Sequence, residues 1–333
     1  MKKFQVMSMA LLALTAAVFC GCGGQPSTPG PEGAGAAKGK EAKARMEIAV
    51  IPKGLAHQFW LAVKAGADAA GAELGVDITW QGPAKETEID KQISIIQDMI
   101  VRRVDGIVMA ACDENALAGI VAQADAAGIP VVTFDSGVKS DVPKSLVATD
   151  NVAGAREAAR QLAKLMGETG EVGLIPFVPG AATSEMRERG FREGIAEFPN
   201  MKIVASNYSQ SDVSLGMNVT ADMLTAFPNL GGIFSANEPG AIGAAQALRA
   251  AGKAGQVKLV AFDTSEEEIA ALKEGVIQAL MVQDPFKMGY EGVKAVVASI
   301  KGETVPKVID TGVVVVTAEN LGSPEVQKLI SPR

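Results

Sequence analysis

Two carboxylates stand at matching places in the chain. The run VVTFDSG from Val131 to Gly137 and the run LVAFDTS from Leu259 to Ser265 share an apolar, β-branched start and a Phe-Asp pair at the end. A buried parallel strand stops in this way where its carboxyl end meets a cleft. Asp135 and Asp263 are therefore expected at two strand ends, and two similar halves that each offer one acid describe a clamp. Nothing around them suggests turnover. The stretch PKGLAHQFW from Pro52 to Trp60 lacks the G-x-G-x-x-G of a dinucleotide site. His57, the one histidine, has no G-x-S-x-G nucleophile to activate. GAGAAKGK follows no strand and lacks the Lys-Ser or Lys-Thr pair of a phosphate loop. The spacing of Cys20, Cys22 and Cys112 matches no zinc pattern, so neither a metal nor a cofactor is expected, and the chain reads as a binder and not an enzyme.

The elements that must position these residues alternate. Strand patterns at 47–51, 77–80, 106–109, 130–134 and 146–149 are interleaved with helix patterns at 59–74, 86–102 and 115–127. The second half repeats the scheme, with helices at 152–166, 184–197, 213–227, 239–251, 266–274 and 285–300. Its strands are expected at 172–175, 202–206, 232–234, 258–262, 277–282 and 313–316. Gly75 and Gly128 close helices, and Asp150 or Asn151 can cap the helix that follows them. Such alternation predicts an α/β protein with doubly wound parallel sheets, which bind ligands outside the carboxyl ends of their strands. A length of 333 residues with 48% hydrophobic content suits two such domains.

The ends of the chain and its charge bear on where it works. Lys2 and Lys3 precede an apolar run from Val6 to Phe19 that is too short to span a bilayer and reads as an export signal. Residues 23–45 are rich in Gly, Pro, Ala and Lys and read as a flexible tether. The net charge of −7 and the absence of a basic patch argue against a nucleic-acid partner.

Several separated motifs together resemble the periplasmic sugar-binding proteins of the ribose-binding type, the solute receptors of ATP-driven (ABC) importers. They are HQFW at 57–60, VVTFDSG at 131–137, ATDN at 148–151, TSEMRERGF at 183–191, IFSANEPGAIGAAQALRAAG at 233–252, LVAFDTS at 259–265 and VQDPFKMGYEGV at 282–293. The resemblance implies two doubly wound domains joined by three crossings, near Thr149, Gln283 and Asp310, with the ligand cleft between them. The expected division is 46–149 plus 284–310 for the N-terminal lobe and 150–283 plus 311–333 for the C-terminal lobe. Phe19-Cys20-Gly21-Cys22 resembles the bacterial lipobox, with Cys22 as the lipidated residue that ends the 1–22 signal. The resemblance further implies an exported, membrane-anchored monomer that touches the membrane only through its lipid, with an ABC permease as partner.

Site residues follow from the same resemblance. A sugar presents hydroxyls at its rim and apolar C–H faces, so a receptor needs flat rings and planar bidentate polar groups. Phe59 and Trp60 match the family's stacking pair, although a helix start faces core and cleft alike, and either could be a core residue. Asp135 and Asp263 match its hydroxyl-accepting carboxylates, and helix capping is their alternative role. Arg187 matches the arginine whose fork holds two ligand oxygens; Arg189, two positions on, should face away as a solvated charge. Asn237 and Gln283 match the amide ligands, with a turn as the other role for Asn237. Ser136 and Ser211 stand where ribose receptors carry an arginine and a second-domain aromatic, which implies a roomier, less cationic pocket. His57 and Lys53 can add polar contacts from the first loop. The implied guest is a sugar, polyol or cyclitol. Presentation of a small signalling ligand to a sensor kinase or chemoreceptor would need the same fold, and the lactose-repressor family shares the core but carries a helix-turn-helix where this chain has its signal and tether.

Overall fold

Val, Ile and Leu dominate the central strand segments, which are buried along both faces, as parallel sheets flanked by helices require. The computed structural model describes residues 45–331; the 1–22 signal, Cys22 and nearly all of the 23–45 tether lie outside the described residues. One sheet holds β1 (Glu47–Ile51), β2 (Asp77–Trp80), β3 (Gly106–Met109), β4 (Val131–Phe134), β5 (Leu146–Ala148) and the late β11 (Val308–Asp310). Its six strands run β11-β5-β4-β3-β1-β2, all parallel. The other holds β6 (Thr169–Ile175), β7 (Asn200–Ser206), β8 (Leu230–Ser235), β9 (Lys258–Phe262), β10 (Ala279–Gln283) and β12 (Val313–Val316). Its order is β12-β10-β9-β8-β6-β7, with β12 antiparallel at the edge.

Helices cover both faces of each sheet. α1 (Gln58–Leu74) and α9 (Pro285–Ile300) lie on one face of the first sheet, over Ile48, Val50, Val108 and Val132. α2 (Ile89–Arg102) and α3 (Ala118–Ala126) cover Ala49, Ile51, Ile107 and Met109 on the other face. α4 (Asn151–Met166) and α5 (Ala182–Ile195) pack on one side of the second sheet. α6 (Val213–Ala226), α7 (Glu238–Ala250), α8 (Glu266–Lys273) and α10 (Pro324–Ile330) pack on the other. The chain changes sheets between β5 and α4, between β10 and α9, and between β11 and β12.

Several sequence expectations change, and α10 was not anticipated. β11 was not anticipated, because VID is too short to show alternation. α2 begins at Ile89 and not Glu86, since the Glu88 carboxylate accepts the Ala84 and Lys85 N–H groups and holds the preceding segment in a turn. α3 begins at Ala118 because Asp113 Oδ1 accepts the N–H groups of Asn115 and Ala116.

The α1–α9 contact is made backbone to backbone. A Cβ added at Gly289 would lie 2.0 Å from the Val63 carbonyl oxygen, and one at Gly66 would lie 1.9 Å from that of Phe286. Gly289→Ala is therefore expected to cost about 3 kcal/mol of stability through overpacking, read as a lower urea midpoint. An unchanged midpoint would mean that the two helices are not this close.

Candidate ligand-binding site

The site grows from the carboxyl ends of strands. Lys53 follows β1, Asp135 follows β4, Phe177 follows β6, Asn237 follows β8, Asp263 follows β9, and Gln283 ends β10. The two aspartates are held alike. Asp135 adopts φ 52° and donates its N–H to the Val147 carbonyl at 2.9 Å; Asp263 adopts φ 79° and donates its N–H to the Met281 carbonyl at 3.0 Å. Gln210 and Ser211, at φ 56° and 53°, also lie at this cleft, so four of the six left-handed non-glycine residues among the described residues gather here. Backbone strain concentrated in this way marks a functional site.

One wall comes from the first lobe. Lys53 Nζ lies 2.9 Å from Asp135 Oδ2 and donates to Ser136 Oγ at 2.9 Å, with both charged side chains no more than 4% exposed. It also donates across the cleft to Thr183 Oγ1 at 3.1 Å. Phe59 and Trp60 meet edge to face, 4.8 Å between centroids at 88°. Trp60 Nε1 donates to Glu86 Oε1 at 3.1 Å, and Ser211 of the second lobe donates to Glu86 Oε2 at 2.8 Å.

The other wall is built on Arg187. Its Nε donates to Asn151 Oδ1 at 2.8 Å, its Nη1 donates to the Ala236 carbonyl at 2.7 Å, and its guanidinium lies 3.9 Å from the centre of the Phe262 ring. Asp263 Oδ2 is 3.8 Å from Arg187 Nη1, and Asp263 Oδ1 accepts from Gln283 Nε2 at 2.6 Å. Gln283 Oε1 is buried without a partner, an acceptor left for a hydroxyl. Asn237 uses both ends of its amide: Oδ1 accepts the Gly240 N–H as a helix cap, and Nδ2 donates to Ser211 Oγ.

These walls line one small, partly open pocket. Burial opposes the charge of Glu86, yet Lys53 and the hydrogen bonds from His57 and Ser211 hold its carboxyl down at about 2. Burial likewise opposes the imidazolium of His57, but the Glu86 bond and the charges of Glu86, Glu238 and Asp263 outweigh it and raise His57. Glu238 goes the other way, pushed up to about 7 by burial and then by Asp263. Burial also raises Asp263, against Arg187 and Gln283.

Nine of the ten residues read from sequence line this cavity: Lys53, His57, Phe59, Trp60, Asp135, Arg187, Asn237, Asp263 and Gln283. Ser136 does not; it is fully buried behind Asp135, bonded to Lys53, Asp135 and Thr183. Trp60 serves core and cavity together, packing on Phe134 while facing the site. Neither aspartate caps the helix that follows it, since Ser265 caps α8 and an irregular segment follows Asp135, but Asp263 Oδ2 accepts the Glu238 N–H at the start of α7 at 3.0 Å. Arg189 is exposed and pairs with Glu193.

The periplasmic binding protein domain matches residues 48–304. The chain belongs to the periplasmic binding protein family. The D-ribose/D-allose-binding protein of Pseudomonas aeruginosa is 33% identical over 290 residues, which cover 84% of this chain and 91% of that protein. A solute binding protein of an ABC transporter from Agrobacterium vitis, solved with bound D-fucose, is 38% identical and covers 86% of this chain and 100% of its own, with a TM-score of 0.84. A carbohydrate transporter solute binding protein from Agrobacterium radiobacter, in complex with D-arabinose, is 35% identical over 86% of this chain and 99% of its own, also at 0.84.

Within this periplasmic binding protein, Ser136 and Ser211 leave the cleft neither without a first-lobe cation nor without a second-lobe ring. Lys53 supplies the first-lobe cation, and Phe177, beneath Lys53 Nζ at 5.2 Å, supplies the second-lobe ring. Glu86, Phe177, Thr183 and Glu238 line the cavity and escaped the sequence reading. Phe177 had a usable signal, an aromatic two residues beyond a strand end. Glu86 and Glu238 had none, since Glu86 looked like an ordinary first residue of a helix and Glu238 like part of the turn before one.

Proposed function

We infer that this chain is an extracytoplasmic receptor that closes two lobes over a small neutral sugar or polyol and delivers it to an ABC importer. The observation that carries the reading is the opposition of Asp135 and Asp263, from different sheets, across one small pocket whose walls also carry aromatic rings and amide and guanidinium groups. Rings suit C–H faces, and planar polar groups suit a rim of hydroxyls. Four carboxyl groups, Glu86, Asp135, Glu238 and Asp263, outnumber Lys53, Arg187 and His57, so an acidic guest is disfavoured. In this reading Cys22 carries the lipid that anchors a monomeric receptor to the membrane, with residues 23–45 as its tether, and no bond of the guest is broken. Residues 46–149 with 284–310 form one lobe, and residues 150–283 with 311–333 form the other.

Thermal shift tests the reading, because a guest that binds only the folded state raises its melting temperature. On the chain from Arg45 onward, at least one of D-ribose, D-allose, D-arabinose and D-fucose should raise the melting temperature by several degrees at millimolar concentration. D-glucuronate and ribose 5-phosphate should not. A response confined to the acidic sugars, or none to any sugar, would defeat it.

A further inference from the structure

The helix that carries Phe59 and Trp60 has no cap of its own. α1 starts after His57, whose side chain makes no capping bond, so the first N–H groups of the helix lack a local acceptor. Acceptors come from the opposite lobe. Glu238, the first residue of α7, takes the Gln58 N–H on Oε1 and the Phe59 N–H on Oε2, each at 3.2 Å. The exchange is returned, for Gln58 Oε1 accepts the Glu266 N–H at the start of α8 at 3.1 Å. The start of α1 thus borrows a side chain from the start of α7 and lends one to the start of α8, as residues of a capping box do within one helix.

We propose that Glu238 is a positioning residue that caps α1 across the cleft, so that the backbone holding Phe59 and Trp60 is completed only when the lobes are closed. The proposal rests on the receptor reading above for its purpose but not for its geometry. An open cleft would return the Gln58 and Phe59 N–H groups to water and leave the two aromatic residues on a frayed helix start. Closure then does two things at once: it encloses the guest and fixes the rings that face it. Slow release of the guest follows, because the rings loosen only when the Glu238 bonds break.

The surroundings of Glu238 make the cap sensitive to pH. His57 and Lys53 face it from the β1–α1 segment, Glu86 from the turn before α2, Asp263 and Arg187 from its own lobe, and Glu267 and Glu268 from α8. Burial and then the Asp263 charge raise its carboxyl from the ordinary 4.5 to about 7, against the two backbone N–H groups and His57. A group raised by closure favours the closed form fully below its open-state value and loses that contribution as pH rises through the closed-state value. Guest affinity should therefore weaken between pH 5 and 8, and His57, also raised, adds to the same trend.

Amide exchange and calorimetry on the full chain and its variants test the cap. Wild-type Gln58 and Phe59 amides should be protected, Glu238→Ala should lose that protection by at least about tenfold, and Glu238→Gln, which keeps one acceptor, should recover part of it. For whichever panel sugar binds, Glu238→Ala should raise the dissociation rate about fivefold, as loss of an N-cap does. The pH 5 to 8 rise in Kd should be at least about tenfold smaller in Glu238→Gln than in wild type. Equal amide protection in wild type and Glu238→Ala overturns the proposal, as does an unchanged pH profile in Glu238→Gln. If no panel sugar binds wild type, the receptor reading fails, and the amide comparison alone still decides for or against the cap.

Discussion

Asp135→Ala is expected to raise the Kd for the guest by at least about a hundredfold and to lower stability as well. The carboxylate is not simply a hook for hydroxyls. Its Oδ2 accepts from Lys53 Nζ at 2.9 Å and from Ser136 Oγ at 3.1 Å in a place closed to water. Removing it leaves the Lys53 ammonium buried with only Ser136 and Thr183 for partners. Removing one member of such a pair costs on the order of 3–5 kcal/mol, because the other charge stays desolvated. Part of that cost falls on closure, since Thr183 belongs to the second lobe. The double variant Asp135→Ala/Lys53→Met separates the two losses: it should recover most of the stability lost by the single variant and none of the binding. Calorimetry that finds Kd within threefold of wild type for Asp135→Ala would remove this carboxylate from the site.

The elements that build the cleft were legible because parallel strands buried on both faces leave apolar runs that stop at polar residues. The duplicated Phe-Asp pair was the strongest such mark, and both copies take the same backbone conformation, tied to the neighbouring strand by the same kind of N–H bond. Helical spacing also separated Arg187, fully enclosed, from Arg189, which lies on the surface of the same helix. What the chain did not reveal lies across the cleft. Glu86 meets Ser211 at a separation of 125 residues, and Glu238 meets Gln58 at 180. No local pattern encodes such a pair. Glu86 in the turn before α2 and Glu238 at the first position of α7 both sit near a helix start, where acids are favoured for reasons of dipole alone, so the local setting accounts for each without any distant partner.

The charge of the first-lobe wall has a related explanation. A serine at a strand end leaves its place neutral only if no other residue can reach the same space. Lys53, on a different strand end, reaches it, and the short Ser136 side chain makes room for the lysine stem to lie there. Burial lowers the pKa of Lys53, but the nearby charges of Asp135 and Glu86 outweigh it and raise the group, keeping the ammonium charged. The cleft thus holds a positive group in each lobe, Lys53 and Arg187.

Arg187→Ala should also be strongly destabilising, by about 3–5 kcal/mol in urea unfolding. The guanidinium is 2% exposed and satisfies Asn151 Oδ1 and the Ala236 carbonyl, both buried, while its plane covers the Phe262 ring. A lysine cannot serve both acceptors from one flexible ammonium, so Arg187→Lys should recover little. The loss has a signature in pH. Burial already raises Asp263 above its ordinary 3.8, and the charge of Arg187 is the first influence that restrains the rise. Without the arginine, Asp263 should climb further, and a carboxyl raised in the folded state contributes stability that is present in full at low pH and lost as pH rises through its folded value. The stability gap between wild type and Arg187→Ala should therefore narrow as pH falls from neutral toward 4.5, because a protonated Asp263 no longer needs the missing cation. A gap that stays constant over that range would mean that Arg187 acts through its hydrogen bonds and ring contact alone, with no electrostatic duty toward Asp263.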